Sequence, residues 1–159
     1  MSAIKFVTKY TSPVIVGSKN RDFGFYDGDT FYGTISLGYN LKLEDQSFRL
    51  YGINTNEVKL NAAKKIGKEH VAKGKATRDY ARTLVPDGTE VMVESYKVID
   101  NEADKEKFGR YLVICYVPIG DKVLNLDGLK LLAVDSTNPT HFCLNDLLLR
   151  DGHAEAMVY

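Results

Sequence analysis

The chain has 159 residues, 44% of them hydrophobic, and carries 21 basic and 21 acidic side chains. That length fits one domain, and the apolar fraction is enough for a core without disulfide or metal staples. A net charge of zero argues against a generic polyanion binder, and no apolar run of about 18 residues is present to cross a membrane.

The amino-terminal segment is mixed in polarity and lacks the long apolar core of a secretory signal. Cys115 and Cys143 lie among apolar neighbours and are expected as buried thiols. Both points lead to the expectation of an intracellular protein; no membrane partner is expected, and a monomer is favoured with the oligomeric state left open.

Taken in order, residues 5–10 and 13–16 are short β-like runs, and residues 1–22 are set apart as an amino-terminal extension able to add a strand. Phe23 to Tyr39 is rich in aromatics, Thr and Gly, and is broken at Asp27-Gly28. Phe48 to Ile53 alternates, with Phe48 and Leu50 facing one way and Arg49 and Tyr51 the other. Gly67 to Val85 places Ala72, Ala76, Tyr80 and Leu84 at four-residue spacing, which predicts a helix with that stripe buried. Pro86-Asp87-Gly88 ends it. Thr89 to Tyr96 and Tyr111 to Val117 read as strands around a charged loop, and Leu144 to Arg150 as a short helix stopped by Gly152. Short strands around one inserted helix predict a β-barrel with helices, of the five-stranded OB type, over residues 23–159.

Lys59, Lys64, Lys65, Lys68, Lys73, Lys75, Arg78 and Arg82 are opposed only by Glu69 and Asp79. This stretch is either a polyanion-facing surface or a solvated helix face. The three histidines show no metal-binding spacing, and His70 is expected to face solvent.

Three segments hold the residues for chemistry. Asp27-Gly28-Asp29-Thr30 sets two carboxylates two residues apart, able to hold a hard cation through oxygen; a hairpin turn has the same composition. Arg49 to Glu57 offers a guanidinium for phosphate, two amides, a hydroxyl and a carboxylate able to take a proton from water; a polar loop with a surface ion pair has the same residues. Lys107-Phe108-Gly109-Arg110 puts a second Arg at a strand start, which a plain hairpin also explains. A fourth segment, Leu144 to Ala154, is core material.

Jointly, these four segments resemble the staphylococcal (thermonuclease-type) nuclease family. Asp27 to Thr30 matches its Asp-Gly-Asp-Thr signature. Arg49-Leu50 with Asn54-Thr55-Asn56-Glu57 matches in part its Arg-Leu strand and Asp-Thr-Pro-Glu turn. Phe108-Gly109-Arg110 stands for Tyr-Gly-Arg, and Asn145, Leu148, Gly152 and Ala154 fit its last helix. The resemblance covers roughly residues 25–159. It departs at Asn54, where the family carries a calcium-binding aspartate, at Asn56 in place of proline, and at an insertion near residues 121–141.

The resemblance implies calcium-dependent hydrolysis of phosphodiester bonds in DNA and/or RNA. Asp29, Asn54 and Thr55 would hold the Ca2+ ion, with Asp27 in an outer position. Glu57 would be the general base, and Arg49 and Arg110 the phosphate clamp. Lys107 and Tyr96 would assist in holding substrate. The alternative is a catalytically weak or inactive OB-fold module that binds nucleic acid or protein.

Overall fold

The computed structural model describes residues 6–61, 66–99 and 110–157. Four strands precede the first helix: β1 (Phe6–Val16), β2 (Thr30–Gly38), β3 (Leu41–Leu50) and the short β4 (Ile53–Thr55). Helix α1 (Lys68–Leu84) follows, then β5 (Glu90–Ile99) and β6 (Tyr111–Pro118). The chain ends with β7 (Leu131–Leu132), β8 (His141–Cys143), α2 (Leu144–Arg150) and β9 (Ala154–Ala156). The domain is therefore mostly antiparallel sheet with two helices. No helix among the described residues is long and apolar enough to cross a membrane.

The main sheet runs β3-β2-β1-β5-β6-β8-β7, and β3 also pairs with β6. That pairing is parallel, Phe48 to Leu50 against Tyr111 to Val113, and it returns the sheet on itself as a ring of β1, β2, β3, β5 and β6. The stretch set apart as an extension supplies a full member of this ring. β1 pairs with β2 on one side and with β5 on the other, from Phe6↔Ile99 to Ile15↔Glu90. The continuous ladder to β5 merges the two short runs expected in this stretch into one strand. The presumed insertion holds β7 and the start of β8, which extend the sheet from the far half of β6.

The core fills the ring. Phe25, Phe31 and Phe48 are wholly buried and stack in sequence, with ring centroids 5.0 Å apart at each step. Tyr111 continues the row at 5.6 Å from Phe48. Register makes this row, because Phe31 lies opposite Phe48 and Phe48 opposite Tyr111. Aromatic pairs at this spacing add about 0.5–1.5 kcal/mol beyond their burial. Helix α2 sends Leu144, Leu147 and Leu148 into the same core.

One polar side chain is built into this apolar interior. β6 pairs with β3 along its first half and with β8 along its second, and Asn145 stands at the changeover. Its Oδ1 accepts the Cys115 N–H at 3.0 Å, and its Nδ2 donates to Tyr51 O at 3.0 Å and Val113 O at 3.1 Å. A buried backbone group without a partner costs about 1–3 kcal/mol. Asn145→Ala is expected to lower the unfolding free energy by about 2–4 kcal/mol in urea titrations, since it strands the Cys115 N–H and frees α2 from the strand.

Candidate functional site

Strand register brings the two arginines together. Thr30 at the start of β2 lies opposite Arg49 of β3, and Arg49 lies opposite Leu112 of β6. Residues opposite one another share a face, so this row points away from the phenylalanine row one residue along. Arg110, immediately before β6, donates from Nη1 to Thr30 Oγ1 at 3.1 Å. One threonine thus marks the meeting point of both guanidinium-bearing segments.

The carboxylates come from the tight loop that enters β2. Tyr26 N–H donates to Thr30 O at 2.9 Å, and Asp29 N–H donates to Asp27 Oδ1 at 3.1 Å. Asp29 is buried and fully engaged. Its Oδ1 accepts the Thr30 hydroxyl at 3.2 Å, and its Oδ2 accepts the Thr55 N–H at 3.0 Å. The second bond ties the loop to β4. β9 holds β4 from its other edge, with Asn54 opposite Glu155 and Thr55 opposite Ala154.

Helix α1 packs under this loop through small residues. Its buried positions are Val71, Gly74, Thr77, Ala81 and Leu84. The stripe read from four-residue spacing is thus corrected, since Ala72 and Ala76 are exposed. A Cβ on Gly74 would collide with the main-chain oxygens of Glu57 and Asn56, and one on Gly28 would lie 2.5 Å from Thr77 Cγ2. His70 is corrected as well. Its Nε2 accepts the Glu57 N–H at 2.9 Å, which requires the Nδ1–H tautomer, and its main-chain oxygen accepts Asn56 Nδ2 at 3.2 Å. Helix and Glu57 segment are therefore one packed unit. Gly74→Ala is expected to cost about 1–3 kcal/mol in thermal unfolding, the usual penalty of overpacking. It should also displace Glu57, lowering any activity that depends on that carboxylate.

A pocket of about 680 Å³ is lined by Asp27, Asp29, Arg49, Asn54, Thr55, Glu57 and Arg110, with Arg21, Tyr26 and Ser47 among its further walls. All seven principal residues expected from the sequence meet here. Lys107 lies outside the described residues. Tyr96 pairs through its backbone with Lys9, and its side chain lies outside what is described. The sequence reading missed Arg21, His70, Gly74, Thr77 and Met157, whose Sδ lies 3.5 Å from Arg49 Nη2.

Arg49 is engaged inside the pocket. Arg49 Nη2 donates to Asn54 Oδ1 at 3.2 Å and lies 3.7 Å from Asp29 Oδ2. Asp27 is buried beside Asp29. Burial first, and the neighbouring Asp29 charge and hydrogen bond next, push its carboxyl up from 3.8 to about 8. A folded-state pKa raised this way gives a contribution to stability that is complete below pH 3.8 and is lost as pH rises through about 8. Asp27→Asn removes that titration. In chelator, the wild type is expected to lose stability relative to this variant between pH 4 and about 8, read from urea midpoints across that range.

The donor set suits a hard cation. Asp27, Asp29, the Asn54 amide and the Thr55 carbonyl offer only oxygen. Burial first and the adjacent Asp29 second raise the Asp27 carboxyl, so a neighbouring positive charge would favour its ionised form. Thr55 Oγ1 is buried and lacks a hydrogen-bond partner among the described residues. The negative charge available is modest, since no group of three or more His, Cys, Asp or Glu gathers among the described residues. No protein-family model matches the chain, and no curated protein matches it significantly.

Proposed function

We propose that this protein hydrolyses phosphodiester bonds of nucleic acid in the pocket beneath Thr30. The carrying observation is convergence. Two guanidinium groups, a solvent-facing carboxylate and a buried carboxylate pair, from segments up to 83 residues apart in sequence (Asp27 to Arg110), line one hollow. Asp29 also serves the architecture by holding Thr55, but Arg49, Glu57 and Arg110 take no part in the apolar core. The strand pairing is that of a small ring closed by one parallel contact, which agrees with the OB fold of the thermonuclease-type resemblance.

Chemically, hydrolysis needs a positioned water, an acceptor for its proton and cationic compensation as charge builds on the phosphorus oxygens. Glu57 is the proton acceptor. It is exposed at the pocket wall, while its main chain is held by His70 and the Gly74 contact. Arg49 and Arg110 bind the non-bridging oxygens, Arg49 by exchanging its Asn54 contact for phosphate. Planar forks make two parallel bonds to one phosphate, which lysine cannot do. A guanidinium is too weak an acid to donate a proton efficiently, so Arg110 stabilises the leaving oxygen by charge. That oxygen takes its proton from solvent water as the P–O bond breaks, while Glu57 returns its proton to solvent. Asp29, Asn54 and Thr55 would hold a calcium ion, with Asp27 behind them, and the ion would add positive charge at the phosphate. Asn54 in place of a carboxylate makes that site one charge poorer and its calcium affinity lower.

The test is digestion of denatured DNA and of RNA with calcium, with and without chelator. Chelator-sensitive cutting is expected. Glu57→Ala and Arg110→Ala should each reduce kcat by about 10²–10⁴, or about 3–5 kcal/mol, with unfolding midpoints unchanged. Wild-type rates in Glu57→Ala would remove it as the base. The second reading is a module that binds nucleic acid without cutting. It is favoured by the pairing of Arg49 with Asn54, which leaves two carboxylates for a metal. Retention of labelled strands with no cleavage at any calcium concentration would select it.

A further inference from the structure

Beside the central pocket lies a smaller hollow of about 400 Å³, lined by Arg21, Asp22, Phe23, Phe25, Tyr26 and Arg82. Arg21 and Tyr26 line both hollows, so the two surfaces are continuous. Phe23 is 49% exposed and Tyr26 38%, so both rings are open to a ligand in this hollow.

Phe23 is exposed but not loose. The Arg82 guanidinium carbon lies 4.1 Å from its ring centroid. Arg82 is itself fixed, since Nε and Nη2 both donate to Phe25 O, at 3.0 and 2.9 Å. One face of the ring is thus backed by a cation whose position the main chain sets. The surroundings are rich in cation–aromatic pairs. Arg21 lies 3.8 Å over the Tyr32 ring and Lys59 Nζ 5.7 Å over Tyr26. Aromatic platforms interleaved with cations bind single-stranded nucleic acid without regard to sequence, because every base has a π face and every link a phosphate.

We propose that Phe23, backed by Arg82, is a stacking platform for an unpaired nucleobase next to the phosphate held in the central pocket. This rests on the phosphodiester reading for the neighbouring pocket, and it adds that the substrate is a strand with unstacked bases. The occupant is a base rather than a protein segment for two reasons. The platform shares its walls with the arginine-lined pocket, and its hollow is lined by two cations, Arg21 and Arg82, against one carboxylate, Asp22. A rigid platform also spends little entropy on binding.

The sequence contains no tryptophan, which gives a direct readout. Phe23→Trp places the chain's sole indole on the platform. A short oligothymidylate and an abasic deoxyribose-phosphate strand of equal length are titrated in chelator, so that nothing is cut. Oligothymidylate is expected to quench the indole, and the abasic strand to leave it unquenched. Phe23→Leu should weaken oligothymidylate binding about tenfold by anisotropy and leave abasic binding unchanged. Equal affinity of wild type for the two strands, no loss in Phe23→Leu, or no binding of oligothymidylate would each overturn the platform. The two proposals separate cleanly. Quenching without any cutting in calcium keeps the platform and rejects cleavage; cutting with no preference for bases keeps cleavage and rejects the platform.

Discussion

Asp29 is the joint on which the site depends. Its side chain binds the Thr55 N–H and the Thr30 hydroxyl, and its main-chain oxygen accepts the Leu50 N–H at 2.8 Å. One residue therefore connects the loop entering β2, the end of β3 and the end of β4. A carboxylate this buried is tolerable only when its oxygens are satisfied. The fold meets that demand by bringing Thr55 to it, and with Thr55 come Asn54 on one side and Asn56-Glu57 on the other. The architecture and the proposed chemistry thus share an atom: Oδ2, which pins β4 and faces Arg49 at 3.7 Å.

Electrostatic balance follows from this joint. The pocket gathers Arg21, Arg49 and Arg110 with Asp27, Asp29, Asp45 and Glu57, three formal positive charges and four negative. Asp27 does not contribute its full charge, because burial and Asp29 keep it protonated far above the usual carboxylate range. With Asp27 protonated, the three guanidinium groups are matched by three carboxylates, of which Glu57 stands exposed at the pocket's edge. Under the proposed reading, a calcium ion would be held by Asp29, Asn54 and Thr55 and would supply positive charge beside the guanidinium groups.

Much of the site was legible in sequence because its residues act through their types at short spacing. Asp27-Gly28-Asp29 and Arg49 to Glu57 are each local, and strand alternation already separated Arg49 from Phe48. What escaped was contact made by small side chains. Gly74, Thr77 and Gly28 form the seat of α1, yet they carry no hydrophobic signal, so periodicity selected the neighbouring alanines instead. His70 looked solvent-facing because its partner is a main-chain N–H, which no motif displays. Residues 1–22 fell outside every motif, yet β1 holds the centre of the sheet between β2 and β5. Its membership is written in cross-strand pairing, a property of two segments that neither shows alone. The parallel contact of β3 with β6 is hidden for the same reason, since a helix and two further strands intervene.

The tightness of the α1 seat bears on the role proposed for Glu57. Glu57 is exposed at its carboxylate but bound at its main chain, between His70 Nε2 and the space that Gly74 leaves open. A catalytic carboxylate must reach solvent to meet water, and a group that reaches solvent on a loop is ordinarily mobile. Anchoring the backbone to a 17-residue helix while freeing the side chain resolves that conflict. The helix in turn is held by Ala81, Leu84 and Val85 in the same core as Phe25, Phe31 and Phe48. Positional accuracy at Glu57 thus descends from the ring's apolar interior, through one glycine and one histidine, to the pocket wall.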